Sequence, residues 1–174
     1  MSDTIAAPTT RFNYVPDWQV LGETEAEAIR AFWRREGALA DGAPMEARLK
    51  QVVMHALSPE GEVAGVCTAA AATPPQLGQP VWYWRTFVGV RWRSTPLVMN
   101  LLKRSCTLLG DHARANDWPC IGILLELENT RFRDKGRAAV WWNPRFTYIG
   151  RSARGLDLRV HYFHGARLKP PPAT

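Results

Sequence analysis

The sequence predicts a mixed α/β fold of the α+β kind, with a mostly antiparallel central sheet flanked by helices. Three observations carry that prediction. The stretch from Val81 to Leu109 reads as strand, tight turn and helix. Its strand, VWYWRTFVGV, is rich in aromatic and β-branched residues. Its helix places Leu97, Val98, Leu101, Leu102, Cys106 and Leu109 at helical spacing. Ahead of it, Lys50–Leu57 and Glu62–Ala70 flank Ser58-Pro59-Glu60-Gly61, which is turn chemistry and implies a hairpin. After it, CIGILLELEN is a continuous apolar run, so a strand–helix–strand crossover makes one parallel pair.

The elements follow in order. The ends, residues 1 to about 12 and 166–174, read as flexible tails on one domain spanning 1–174. A first helix over Glu25–Glu36 turns Ile29, Phe32 and Trp33 to one face; Thr24 and Glu27 have capping-box spacing and Gly37 is a natural stop. A short helix follows at Pro44–Leu49, then the hairpin, then a loop marked by Pro74, Pro75, Gly78 and Pro80. His55 lies inside the hairpin and reads as a packed or surface residue. Pro96 suits a first helical position, with Thr95 or Ser94 as the cap. The run CIGILLELEN ends in Glu126 and Glu128, two residues apart and so on one face. Thr130–Trp142 reads as a basic helix broken at Asn143-Pro144. Arg145–Gly150 and Leu156–Phe163 form a last hairpin through Ser152-Ala153-Arg154-Gly155.

Composition narrows the function classes. Hydrophobic residues at 46% and charged residues at 22% fit a folded globular chain and argue against disorder. No apolar run approaches the roughly 18–20 residues of a membrane span, and MSDTIAAPTT lacks the pattern of a secretory leader, so a cytoplasmic location is expected. Cys67, Cys106 and Cys120 have no metal-ligand spacing; they read as buried thiols of a reducing compartment, and no metal is expected. The net charge of +6 is uneven. Arg131 to Lys169 holds ten Arg or Lys against Asp134 and Asp157. An acidic or RNA partner for that basic C-terminal third stands beside the plainer reading of a solvated surface.

The strand entering a helix N-terminus at 88–102 resembles the segment with which the GNAT acyltransferase superfamily holds the coenzyme A pyrophosphate. There, Arg or Gln is followed by x-x-Gly-x-Gly/Ala. Here Arg93 takes the first place, and Pro96 and Val98 take those of the two small residues. Val98 adds a branched side chain where glycine would admit a phosphate, and Pro96 removes an N–H. The order helix, hairpin, strand, helix, strand, helix, hairpin over Arg11–Phe163 is similar to the family's. PRFTYIGRSARGLDLRVHYF resembles its last two strands, with an aromatic at Phe146.

The resemblance implies a sheet splayed between its fourth and fifth strands, with acetyl-CoA or another acyl-CoA as donor and an amine as acceptor, either a small molecule or a peptide. Phe87, Val88 and Val90 would contact the donor through the main chain, and Arg93, Ser94, Thr95, Pro96, Leu97 and Val98 would face its pyrophosphate. The first helix and the loop after it would form the acceptor side. Glu126 or Glu128 would serve as base if burial raises its pKa. The family's acid tyrosine falls on Trp141, which has no acidic proton, leaving Tyr148 and Tyr83 as nearby alternatives. Eight tryptophans, Trp82, Trp84, Trp141 and Trp142 among them, read first as core and second as the lining of an acyl channel. A non-catalytic module of the same fold is the alternative function.

Overall fold

The computed structural model describes residues 11–40, 42–128 and 137–170. Strands β1 (Asn13–Pro16), β2 (Val52–Leu57), β3 (Val63–Ala72), β4 (Val81–Val88), β5 (Gly122–Glu126), β6 (Val140–Trp141), β7 (Phe146–Arg151) and β8 (Asp157–Tyr162) form one sheet. Their order is β1-β2-β3-β4-β5-β8-β7-β6, and β4–β5 is the parallel pair among antiparallel neighbours. Helices α1 (Glu23–Glu36), α2 (Met45–Leu49) and α3 (Leu97–Ala115) pack on it.

Period-two alternation decides which face each residue meets. On one face Ile29, Phe32 and Trp33 of α1 pack with Leu49, Val52, Val63 and Val66. On the other, Leu97, Leu101, Leu102 and Leu109 of α3 cover Val53, Cys67, Trp84 and Val88 from the first four strands. They also cover Ile123, Leu125 and Phe146 from the rest. A hydroxyl fastens α3 to β4: Trp84 Nε1 donates to Ser105 Oγ at 3.0 Å, and Ser105 Oγ donates to the Leu101 carbonyl at 2.8 Å. Arg30 ties α2 to α1, its guanidinium bonding Glu46 at 2.9 Å and Glu23 at 2.7 Å.

Several expectations meet the structure directly. Gly37 ends α1 at φ 60°, and Ala38 N–H donates to Trp33 O at 3.0 Å in the six-to-one pattern of a left-handed stop. The hairpin turn at 58–61 closes through Ser58 N–H to Glu62 O at 2.8 Å. Thr95 Oγ1 accepts from Leu97 N–H at 3.4 Å, while Pro96 occupies the N-cap rather than the first helical position. His55 is a packed residue: it lies 3% exposed, with its Nδ1 2.7 Å from Asp17 Oδ2.

Others are corrected. The capping box at Thr24 and Glu27 does not form. Helix α1 starts earlier, at Glu23, with Gly22 as a cap lacking any side-chain bond. Glu23 and Glu25 favour the first turn through the helix dipole instead. The central strand stops at Val88, because Val90–Trp92 coils into a 3₁₀ turn. The described part of the expected helix 130–142 is not helical: Val140 and Trp141 pair with Thr147 and Phe146 as a strand. A β-branched residue beside a tryptophan suits a pleat, and a partner strand lies within reach across the turn. Residues 130–136 of that helix fall outside the described residues. Strand β1 was not anticipated; it is four residues long and ends in Pro16, which an edge strand tolerates because no ladder bond is needed there. Trp142 is no core residue, being 74% exposed.

Candidate active site

The parallel pairing of β4 with β5 covers only Trp82↔Ile123 and Tyr83↔Leu124. Beyond it the two strands part. Gly89 N–H donates to Ala64 O, so by ladder alternation Arg85 and Phe87 bond β3. The main-chain groups of Trp84, Thr86 and Val88 therefore turn toward the opening. A cavity of about 1000 Å³ fills it, bounded by β4, by Leu125–Glu128 and by the start of α3.

The cavity has two chemically distinct regions. Where α3 begins, it is lined by Val88, Arg93, Ser94, Val98 and Met99. Arg93 Nε donates to the Val88 carbonyl at 3.2 Å, and its guanidinium lies 5.5 Å from the Phe87 ring centroid. The first-turn N–H groups of α3 have no carbonyl four residues back within the helix and so suit an anion. The Val98 side chain occupies part of the space a glycine would leave there.

Where the strands diverge, on the α1 side, the groups are polar. Tyr83 Oη donates to Glu126 Oε2 at 2.5 Å. The turn between β7 and β8 carries Arg154 back over the end of β5, so that its Nη1 donates to Glu126 Oε2 at 3.0 Å and Glu128 Oε1 at 2.7 Å. Glu126 has only 7% of its side chain exposed. Burial alone would raise its pKa, but hydrogen bonds from Ser152 and Tyr83 and the charge of Arg154 outweigh it and hold the carboxyl below its usual range. Tyr83 moves the other way: burial, then the bond to Glu126, pushes its pKa up, so the phenol keeps its proton. The result is an ionised carboxylate holding a protonated phenol at the mouth of the gap. Trp33, Ala38 and Leu39 of α1 and its following loop, with Arg48 of α2, complete this side.

Among the residues singled out from sequence, Tyr83, Trp84, Phe87, Val88, Arg93, Ser94, Val98, Glu126, Glu128 and Trp141 line the cavity. Phe87 does so without the expected main-chain contact, since its N–H and C=O are turned to β3. Val90, Thr95, Pro96 and Leu97 do not. Val90 is 66% exposed and gives its N–H to Glu36 Oε2 at 3.2 Å, and Leu97 is fully buried in the core. Tyr148 stands on β7 in register with Arg159, exposed and away from the lining. The sequence reading missed Arg48, Arg85 and Arg154. Alternation along β4 could have flagged Arg85, which shares a face with Tyr83 and Phe87; nothing local points to Arg48 or Arg154. Burial pushes the thiols of Cys67 and Cys106 up to about 12 and that of Cys120 to about 11, away from the thiolate form.

No family model matches the chain, and no curated protein matches it in sequence. Solved structures do. A GNAT family N-acetyltransferase, YhbS from Escherichia coli in complex with CoA, superposes with a TM-score of 0.58 at 14% identity, covering 91% of this chain and 84% of that one. The GNAT acetyltransferase of Streptococcus pneumoniae gives 0.56 at 16% identity over 87% and 99%. A bacterial toxin gives 0.57 at 12% over 88% and 92%. The chain, with its mostly antiparallel sheet, parallel β4–β5 pair and flanking helices, has a GNAT-like fold.

Proposed function

We propose that the protein is an acyl-CoA-dependent N-acyltransferase. The observation that carries this reading is the two-residue pairing of β4 with β5, which opens a cavity edged by outward-facing main-chain groups and ended by a helix N-terminus. An acyl-CoA bound there supplies an activated thioester carbonyl. The chain's own part is positioning and proton handling. Main-chain groups of Thr86 and Val88 align the donor as an added strand, and Arg93 and Ser94 meet its phosphates. Glu126 lacks the raised pKa that the sequence reading required of a base, but it is ionised, and it accepts a proton from the acceptor amine directly or through water. Tyr83 Oη gives its proton to the departing sulfur and regains one from Glu126 through their shared hydrogen bond; the second proton that an ammonium loses in becoming an amide passes to solvent.

The test is calorimetric titration of the purified protein and an Arg93→Ala variant with acetyl-CoA and a longer acyl-CoA. One-site binding, weakened several-fold in the variant, supports the reading. No heat and no shift in melting temperature with either donor sinks it. A donor-free binding module of the same fold is the second reading, favoured by Val98 where the family has a small residue.

A further inference from the structure

The cavity holds more positive charge than its own carboxylates balance. Arg48, Arg85, Arg93 and Arg154 line it against Glu126 and Glu128. Both carboxylates are held by Arg154. Arg93 belongs to the end where α3 begins. Val88 lies five residues from Tyr83, about 16 Å along an extended strand. That leaves Arg48 and Arg85 beside the Tyr83–Glu126 pair. Among the described residues neither forms an ion pair. Arg48 Nη1 reaches Gln51 Oε1 at 3.5 Å; Arg85 Nη2 reaches Tyr83 Oη at 3.4 Å and stacks 4.6 Å from that ring's centroid. Burial, and then the charge of Arg85, pushes the pKa of Arg48 down. Two like charges in the wall of one cavity, neither paired with a carboxylate among the described residues, suit an anion.

The positions are set by separate elements. Arg85 follows from β4's alternation and stands opposite Thr68 on β3. Arg48 is held by α2, which Glu46 anchors to Arg30 of α1. Planar guanidiniums on two independent supports suit an oxyanion, which they can bond in a forked geometry.

We propose that Arg48 and Arg85 bind an oxyanion, carboxylate or phosphate, carried by the acceptor a few bonds from its reacting amine. This rests on the acyltransferase reading for the word acceptor; the anion site itself rests on the two arginines. It makes the enzyme selective for zwitterionic amines over neutral or cationic ones.

Two matched pairs of probes test it: O-phosphoethanolamine against ethanolamine, and β-alanine against propylamine. Each is titrated into the protein alone and with coenzyme A present. The anionic member of at least one pair should bind tenfold or more tighter than its partner, and the pair that shows this tells phosphate from carboxylate. Arg48→Gln and Arg85→Gln should each cut that preference at least fivefold, with the neutral amine unaffected; R48K and R85K should restore part of it. Melting curves verify that the variants are folded. Equal affinity within both pairs, or a preference that survives both glutamine variants, overturns the inference and leaves the donor reading standing. Absence of donor binding with the preference intact removes acyl transfer and supports the anion site.

Discussion

A phenol donating to a carboxylate lines the cavity, and their environments push the pKa values of the two groups apart. Tyr83 keeps its proton because burial and Glu126 disfavour the phenolate; Glu126 stays ionised because Ser152, Tyr83 and Arg154 outweigh its burial. Tyr83→Phe and Glu126→Gln should each lower kcat by about 10²-fold, the usual scale for one positioned acid or base, with acetyl-CoA affinity unchanged. Steady-state kinetics alongside donor calorimetry decide it; equal loss of donor binding would assign these side chains to structure instead. The Glu126 shift also has a sign for stability. A carboxyl whose folded pKa is depressed stabilises the fold above its unfolded value, near 4.3, and loses that contribution as pH falls through the lower folded value. Melting temperature against pH should therefore fall less steeply on the acid side in Glu126→Gln than in wild type. Away from the cavity, Ser105→Ala strands Trp84 Nε1 in the core. A cost of about 1–3 kcal/mol is expected in denaturant unfolding, the penalty of one unsatisfied buried donor.

At the level of elements, the walls of the gap depend on how β5 seats on β8. Gly122 faces Tyr162 across that seam, and a Cβ built on it would lie 2.2 Å from the His161 carbonyl oxygen. Since the obstacle is backbone, Gly122→Ala must displace one strand from the other. We expect about 1–3 kcal/mol of destabilisation, the scale of overpacking, and weaker donor binding in the same variant. A variant as stable as wild type would mean that the seam yields freely. These strands were legible in the sequence because their signals are local: CIGILLELEN is one apolar run, and Pro59-Glu60-Gly61 and Ser152 to Gly155 are turn chemistry. Cavity-lining positions such as Arg93 and Val98 were legible for the same reason, lying within one strand-to-helix turn. What could not be read was long-range. Arg48, Arg154 and the Asp17–His55 pair matter through partners far away in sequence, 38 residues apart in the last case. Strand β6 was hidden differently, because two residues cannot show a period and its pairing appears only once β7 is in place.

For the molecule as a whole, the sheet is two halves, β1–β4 and β5–β8, with a two-residue ladder between them. Besides that ladder they are joined by α3, whose apolar face touches Val53, Cys67 and Trp84 of one half and Ile123, Leu125 and Phe146 of the other, and by side-chain links such as Tyr83–Glu126. An acyl donor lying along β4 would take the place of the missing ladder, so binding should act as a further connection. Bound only by the folded state, it raises stability by about 2.7 kcal/mol at a hundred times its Kd. The distribution of that gain is the sharper prediction. Amide hydrogen exchange should slow most at Thr86 and Val88, whose N–H groups face the gap, and at the first turn of α3. Arg85 and Phe87, already bonded to β3, should change little. Such alternation along a single strand is what a ligand docked edge-on to β4 produces. Uniform slowing along β4 would instead report general stiffening and place the donor elsewhere. No slowing at any of these amides, at donor concentrations where calorimetry shows saturation, would separate donor binding from the gap altogether.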